Sequence, residues 1–592
     1  MRRSARCRTI GLAVACGLAA ACDRPAPGDA AAADPPAPPQ APRTARTAQL
    51  GFAIGVTASF EKVFAEPPHG FSGAFDVDIE LAAARNEVEA VQLVLFPERD
   101  VRAVSVEVSA LRGPGSSVIP RADVEIRVVG HVNLLEPRID GSRAGWHPDP
   151  LLPNRDADLA TGVPQAYLIA VRARPETTPG RYEGRATVRT GEGEVEQRAI
   201  RVEVWDVELP HTPRFRSSSF ASWTLPARMW PRAAGYPDLD DERRLELMLR
   251  VADLGFDFRL PPTLFLANGL SSWNQGGDGD TRYGFPTHDP RPGERPAFNA
   301  ARTDRLIDYM LDRGANHFFI AATGNVWRPA AIAEDRQRRL VEYLTDYRRH
   351  LAARGLLDMS LVYNIDEPWG EEVEHARRTY RLIRERVGPG FRVMQNTNQD
   401  NTTILSDLLG HFDVADINLG FYDVTAAAAY RQLHPDAFAE LWWNVNQWPE
   451  SHPNLFVEYP LADARIIGPM SYAYGIAGFE YWGLLSPAGI RSYHPIEPDE
   501  LRVRWDVGRG SLDGTLIYPD ADYGLHPSLR LVGLRDGFED YELLRLLEEA
   551  DPDHPLLGVP IVRGLTDFSR EPAEILAFRE SVARALMAGA NR

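Results

Sequence analysis

The chain has 592 residues, too long for one hydrophobic core, so two or three domains are expected. Its 83 acidic against 65 basic residues give a net charge of −18, which argues against a phosphate-neutralising surface and so against nucleic acid as a partner. Lys62 is the lone lysine, and the cysteines are Cys7, Cys16 and Cys22. Lysine Schiff-base chemistry therefore has almost no candidate. Downstream disulfides, thiolate nucleophiles and Cys-ligated zinc have none.

At the N-terminus Arg2, Arg3, Arg6 and Arg8 precede an apolar run, Ile10 to Ala21, that is too short to span a bilayer. Leu18-Ala19-Ala20-Ala21-Cys22 resembles a bacterial lipoprotein signal with its lipobox, although the leucine stands one place further from the cysteine than is usual. The resemblance implies a signal peptide over 1–22, lipidation of Cys22 and a membrane partner through that lipid. Ordinary secretion is the alternative. Residues 23–48 are rich in Ala and Pro and read as a disordered tether. The expected location is the bacterial cell envelope, lipid-anchored, facing the periplasm or on the surface.

Over 49–210 short alternating strands are separated by turn residues. Val88 to Phe96 alternates before Pro97, and Arg185–Thr190 and Arg198–Val204 flank a Gly-Glu-Gly turn as a hairpin. A β-sandwich is expected, serving as support or substrate presentation.

Over 211–550 apolar runs alternate with amphipathic helices such as Thr303–Arg313 and Ala331–Arg354. Eight candidate strands can be read: Ser217–Phe220, Asp257–Leu260, His317–Ala322, Leu361–Asp366, Arg392–Gln395, Ala415–Leu419, Leu441–Val445 and Gly478–Gly483. That alternation predicts a (β/α)8, TIM-like barrel after the sandwich. Gly514 to Pro519 reads as a strand, Ser528 to Leu547 as a helix, and 551–592 as a C-terminal helical segment.

In a barrel the site is built from strand ends and the loops after them. Leu361-Val362-Tyr363-Asn364-Ile365 is a buried strand delivering Asp366 and Glu367 to its tip, and Pro368 ends it at about Glu367. Trp369 and Gly370 then open the chain into a loop, where both carboxylates can serve one site. The pair is either catalytic or a helix-capping or salt-bridged pair. Asn396 and Asn398, Asn418 and Tyr422, Asn444, Asn446 and Gln447, and Tyr481-Trp482 fall at other strand ends. Such amides and aromatics suit a sugar, whose hydroxyls need hydrogen bonds and whose ring faces need a platform. Candidate substrate contacts are Asn396, Trp443, Asn444, Tyr481 and Trp482, with Trp442 and Trp443 on opposite faces of their strand.

No metal and no cofactor are expected, because the 14 histidines lack metal-ligand spacing; His317 reads as a core residue. The Gly-x-Ser-x-Gly, His-Glu-x-x-His and P-loop motifs are absent. Two carboxylates that flank a glycosidic bond stand about 5 Å apart or more. Sequence neighbours suit instead a reaction in which the substrate's 2-acetamido oxygen attacks the anomeric carbon. Glu367 would then protonate the leaving oxygen and Asp366 would steady the acetamido group.

Tyr363-Asn364-Ile365-Asp366-Glu367-Pro368 resembles the catalytic segment of glycoside hydrolase family 123 and its DUF4091 relatives. Ala84 to Glu87, Trp146 to Pro153, Thr178 to Gly184, Tyr518-Pro519 and Leu534 to Tyr541 also match, the last being the most specific. The resemblance spans about residues 50–550 and implies a β-sandwich, a barrel and a retaining β-N-acetylgalactosaminidase acting on glycans. Asp366 would be its oxazolinium-stabilising carboxylate and Glu367 its acid/base. Two rival readings stay open: a glycosidase for sugars without the acetamido group, with Asp413, Asp416 or Asp423 as nucleophile, and a non-catalytic carbohydrate-binding surface lipoprotein.

Overall fold

The computed structural model describes residues 41–590, apart from 43, 221–228, 231–234, 236, 238, 264–287, 290–296, 299, 325, 398–406, 434–439, 447–450 and 487–489. Cys22, the leader and the tether up to residue 40 lie outside the described residues, as do Asn398 and Gln447. No described helix is long and apolar enough to cross a membrane. A short helix, α1 (Ala45–Leu50), capped by the Thr44 hydroxyl, leads into the first strand.

The N-terminal region is β-rich. One sheet has Phe52–Ala58, Glu87–Pro97, Gln165–Ala173 and Val124–Leu134 as successive neighbours, and a second has Val101–Val108, Gly180–Arg189, Val195–Glu208 and Ile79–Arg85. The expected hairpin forms, with Arg189 paired to Val195. Leu93, Leu95 and Ile169 from the first sheet pack against Val104, Val188 and Ile200 from the second, which gives the alternation its purpose. The first sheet also takes in Arg502–Val507, parallel to Val124–Leu134, and Ile490–Ser492 beyond it. Its other face, with Ala90, Val94 and Leu168, packs into the larger core that the C-terminal helices share.

Among the described residues seven parallel strands follow: β1 (Arg216–Ser219), β2 (Phe318–Ala322), β3 (Ser360–Tyr363), β4 (Arg392–Thr397), β5 (Val414–Asn418), β6 (Glu440–Asn444) and β7 (Gly478–Tyr481). Their order is β1-β7-β6-β5-β4-β3-β2. Between them run α2 (Asp241–Asp257), α3 (Ala300–Asp312), α4 (Ala333–Arg354), α5 (Glu371–Leu382), α6 (Val424–Leu433) and α7 (Leu461–Ala473). The strands are buried on both sides and hence apolar along most of their length, as in Val414-Ala415 and Leu441-Trp442-Trp443.

The expected strand at Asp257–Leu260 is not one. Asp257 ends α2, and Arg259 turns back at φ +54°. Pro261 and Pro262 follow and cannot donate to a ladder, so the segment joins by single bonds only. Ser219 N–H donates to the Pro261 carbonyl at 2.9 Å, and Thr263 Oγ1 meets His317 Nε2 at 3.1 Å beside β2. The sheet is thus curled, and its two edges come together around residues 259–263. His317 is a buried core residue, its other ring nitrogen 2.7 Å from Asn316 Oδ1.

The chain closes with α8 (Leu529–Ala550), whose Ser528 hydroxyl caps the Leu531 N–H, and α9 (Pro572–Ala590). α7 and α8 touch backbone to backbone. A Cβ at Gly537 would stand 2.1 Å from the Arg465 carbonyl oxygen, and one at Gly468 would stand 1.7 Å from that of Gly537. Pro469, inside α7, supplies no N–H for the Arg465 carbonyl, which leaves that side of the helix open to Gly537. Around this contact Arg465, fully buried, pairs with Asp540 at 2.9 Å and Glu89 at 3.3 Å. Arg579 of α9 reaches Glu87 at 2.6 Å. The charges tie the β-rich region to the helices, and breaking one such buried pair costs roughly 3–5 kcal/mol.

Candidate active site

β3 stops at Tyr363, three residues before Asp366, and a turn held by β4 carries the acids. Asn364 N–H still bonds the Met394 carbonyl at 2.9 Å. Gln395 Nε2 then takes the Ile365 carbonyl at 2.7 Å. Asn396 does two things: its Oδ1 accepts the Glu367 N–H at 3.0 Å, and its Nδ2 donates to Asp366 Oδ1 at 2.7 Å. Tyr363 OH donates to the same Asp366 oxygen at 3.2 Å. Glu367 sits at φ +41°, a left-handed conformation that a non-glycine residue holds only under constraint. Asn396 is that constraint. Beyond it Gly370, at φ +58°, starts α5, where Glu371, Glu372 and Glu374 favour the positive end of the helix dipole.

Asp366 is exposed and Glu367 half-buried. Burial first, and the neighbouring Asp366 charge second, raise the proton affinity of Glu367 above the ordinary carboxylate range. The two acids thus differ: one is open to solvent, and the other is biased toward holding a proton.

Beneath them the face of the sheet is layered. Phe319, Leu361, Met394, Val414 and Trp442 form an apolar floor. Gly478 makes room for the Trp442 ring, since a Cβ there would stand 2.5 Å from it. Above the floor come Asn396, Asp416, Asn444 and Glu480. Asn444 Nδ2 donates to Asp416 Oδ2 at 2.8 Å, and Asn418 Nδ2 donates to Asn446 Oδ1 at 2.8 Å. Asp416 is fully buried, and its Oδ1 has no hydrogen-bond partner among the described residues. Burial, then the charges of Asp366 and Glu367, push its carboxyl up to about 7 against the pull of Asn444. Glu480 is also raised well above the ordinary carboxylate range, by burial and then by Asp416, Asp366 and Glu367. Among the described residues no group of three His, Cys, Asp or Glu is arranged to hold a metal ion.

The structure separates the expected sugar contacts. Asn396 and Asn444 lie on the face of the acids. Trp443 and Tyr481 do not, because successive side chains on β6 and β7 alternate between faces. The Trp443 indole N–H donates to Ser471 of α7 at 2.9 Å. Tyr481 OH donates to Asp513 Oδ1 at 3.2 Å and accepts the Gly514 N–H at 2.8 Å. Both are fully buried. Trp482, past the strand end, is half-buried and donates to Asp513 Oδ1 at 2.9 Å. Two residues not singled out for this site belong beside it. Trp369, two places after Glu367, is 73% exposed. Glu480 was legible as a charged residue between Phe479 and Tyr481 in an otherwise apolar strand.

Residues 322–547 match the family described as glycoside hydrolase 123, catalytic domain, a range that holds β3 to β7 and both acids. Residues 322–547 carry the signature of the glycoside hydrolase family 123 catalytic domain. A family 123 glycoside hydrolase from Clostridium perfringens, solved in a study of glycolipid glycan hydrolysis, is similar over 91% of this chain and 98% of its own. The TM-score is 0.66 at 14% identity, a likeness of fold. A β-glucuronidase 2 from Bacteroides uniformis (12% identity, 74% of this chain and 48% of that one, TM-score 0.29) is too distant to argue from. So is a GH5 xyloglucanase from Bacteroides ovatus (8% identity, 78% and 98%, TM-score 0.27). No curated protein sequence matches the chain. The family match supports glycoside hydrolase activity, with glycans as the substrate class.

Proposed function

We propose that this family 123 enzyme removes a terminal β-linked N-acetylhexosamine, N-acetylgalactosamine foremost, with retention of configuration and with help from the substrate's own acetamido group. The observation that carries the reading is the single turn on which Asn396 bonds both acids, one exposed and one biased toward holding a proton. In the first step Glu367 gives its proton to the glycosidic oxygen. The acetamido carbonyl oxygen attacks the anomeric carbon, and the bond to the leaving group breaks. Asp366 accepts the acetamido N–H and balances the positive charge of the oxazolinium ring. In the second step the Glu367 carboxylate takes a proton from water, whose oxygen attacks the anomeric carbon and reopens the ring. The sugar leaves with its original configuration and Glu367 is protonated again. Trp369, exposed two places after Glu367, is the aromatic residue we assign to the sugar's ring face.

A protein nucleophile has weaker support. Asp413 pairs with Arg384 and accepts the Val393 N–H. Asp416 is buried and biased toward its neutral form. Asp423 Oδ1 caps the Ala426 N–H at the start of α6.

The test is a panel of chromogenic β-glycosides of GalNAc, GlcNAc, Gal and Glc, with Glu367→Gln alongside. Release is expected only from the 2-acetamido sugars. It should fall by about 10²–10⁴-fold in the variant, the worth of a general acid. Release from plain hexosides, or full activity in the variant, would overturn the reading.

A further inference from the structure

Glu480 lies on β7 between Phe479 and Tyr481, whose rings stack on the far side of the sheet from the acids; Phe479 packs there on Phe538 of α8 at 5.6 Å. The period of two turns Glu480 to the opposite face, in register with Asn444 on one side and Ser218 on the other. Both neighbours are already engaged. Asn444 donates to Asp416 at 2.8 Å, and the Ser218 hydroxyl meets Thr263 Oγ1 at 2.7 Å. Glu480 is 5% exposed, yet among the described residues its carboxyl takes part in no hydrogen bond or ion pair. A buried polar group without a partner is a cost to the fold unless a ligand supplies one.

We propose that Glu480 is a substrate-binding residue whose carboxyl holds a ring hydroxyl of the sugar at the bottom of the pocket. This deepens the N-acetylhexosaminidase reading and rests on it. The chemistry of the ligand follows from the group. Burial, then the charges of Asp416, Asp366 and Glu367, bias Glu480 toward its neutral form. A neutral carboxylic acid both donates through O–H and accepts through C=O. A sugar hydroxyl is also donor and acceptor at once, so the two can exchange a pair of hydrogen bonds without burying a net charge.

The test is calorimetric titration of the full chain with free N-acetylgalactosamine and with its 3-, 4- and 6-deoxy analogues. One analogue should bind the wild type about tenfold or more weakly than the parent sugar, because a site built around a hydroxyl penalises its absence. Glu480→Gln keeps a donor and an acceptor and should bind the parent within about threefold, whereas Glu480→Leu should lose about tenfold and cease to distinguish that analogue. Equal binding of all three analogues by the wild type overturns the proposal, and that arm needs no variant to fold. So does unchanged binding of the parent sugar by Glu480→Leu. If the wild type binds no N-acetylhexosamine while cleaving other glycosides, the parent reading falls first and takes this one with it.

Discussion

Asn396 was a sugar contact on residue type alone, and the structure gives it another task. Its side chain spans the two acids, donating to Asp366 at 2.7 Å and accepting from the Glu367 backbone at 3.0 Å. Asn396→Ala removes both bonds. The first goes to a carboxylate and is worth about 1.5–3 kcal/mol. The second restrains a residue at φ +41°, a conformation that costs on the order of 1–3 kcal/mol and relaxes once released. Taken together about 3–4 kcal/mol of positioning is lost, and at about 1.4 kcal/mol per decade this predicts a kcat lower by about 10²–10³-fold. KM should move by less than about threefold, because the loss is felt where the acids must be aligned in the transition state. Steady-state kinetics on the best substrate of the glycoside panel would read both constants, with circular dichroism to show that the variant is folded. A KM raised tenfold beside an unchanged kcat would refute the argument and return Asn396 to the sugar.

Two further predictions concern stability. Asp416 is raised from 3.8 to about 7, so between about pH 4 and pH 7 the native state keeps a proton that the unfolded chain has released. Its contribution therefore falls as pH rises through that window, and Asp416→Asn should flatten this part of the stability profile in urea titrations at several pH values; an identical slope in the variant would refute the assignment. Gly537→Ala forces a Cβ to within 2.1 Å of the Arg465 carbonyl, a backbone atom with little room to yield, so α7 and α8 must part. The expected loss is about 1–3 kcal/mol or more, read as a lower urea midpoint, and an unchanged midpoint would show that the two helices do not need this contact.

The sequence carried the strands of the curled sheet well where they were apolar runs closed by polar residues, as at β4, β5 and β6. It misled at Asp257–Leu260, where a strand-like run is the last residue of an amphipathic helix and the turn after it, and the two prolines that follow rule out a ladder. It was silent on Arg502–Val507, since nothing local announces that this stretch will pair with Val124–Leu134, more than 360 residues earlier. In the site the acid pair was legible because Pro368 ends an apolar run there. The facing of Trp443 and Tyr481 was not, because alternation says which residues share a face but not which face is the pocket. The polar partners decide it: Asn444 sits between Trp443 and Val445, and Glu480 between Phe479 and Tyr481. In each strand the residue with charge or amide near the strand end faces the acids, while Trp443, Phe479 and Tyr481 face the helices.

The same logic explains why the most specific sequence matches lie far from the chemistry. In Arg535-Asp536-Gly537-Phe538-Glu539-Asp540, Gly537 lets α8 touch α7, Asp540 neutralises Arg465, and Glu539 takes Arg259 at 2.9 Å. Glu87, of Ala84-Arg85-Asn86-Glu87, receives Arg579 from α9, and Asp149, of Trp146 to Pro153, holds Arg530 at 2.8 Å and the Tyr518 hydroxyl. Each of these motifs is one half of a buried polar contact whose other half comes from a distant part of the chain. A buried charge tolerates few substitutes, since removing either partner strands the other in a dry interior. These residues certify the scaffold, and the scaffold sets where β3 and β4 end. On the mechanism proposed above, turnover rests on a much smaller set, the turn from Tyr363 to Glu367 and the side chain of Asn396. The proposed mechanism therefore predicts that a chain keeping every one of the distant motifs and changed only at Asp366 and Glu367 would fold, bind the sugar and fail to cleave it, which circular dichroism and calorimetry beside the glycoside assay would read.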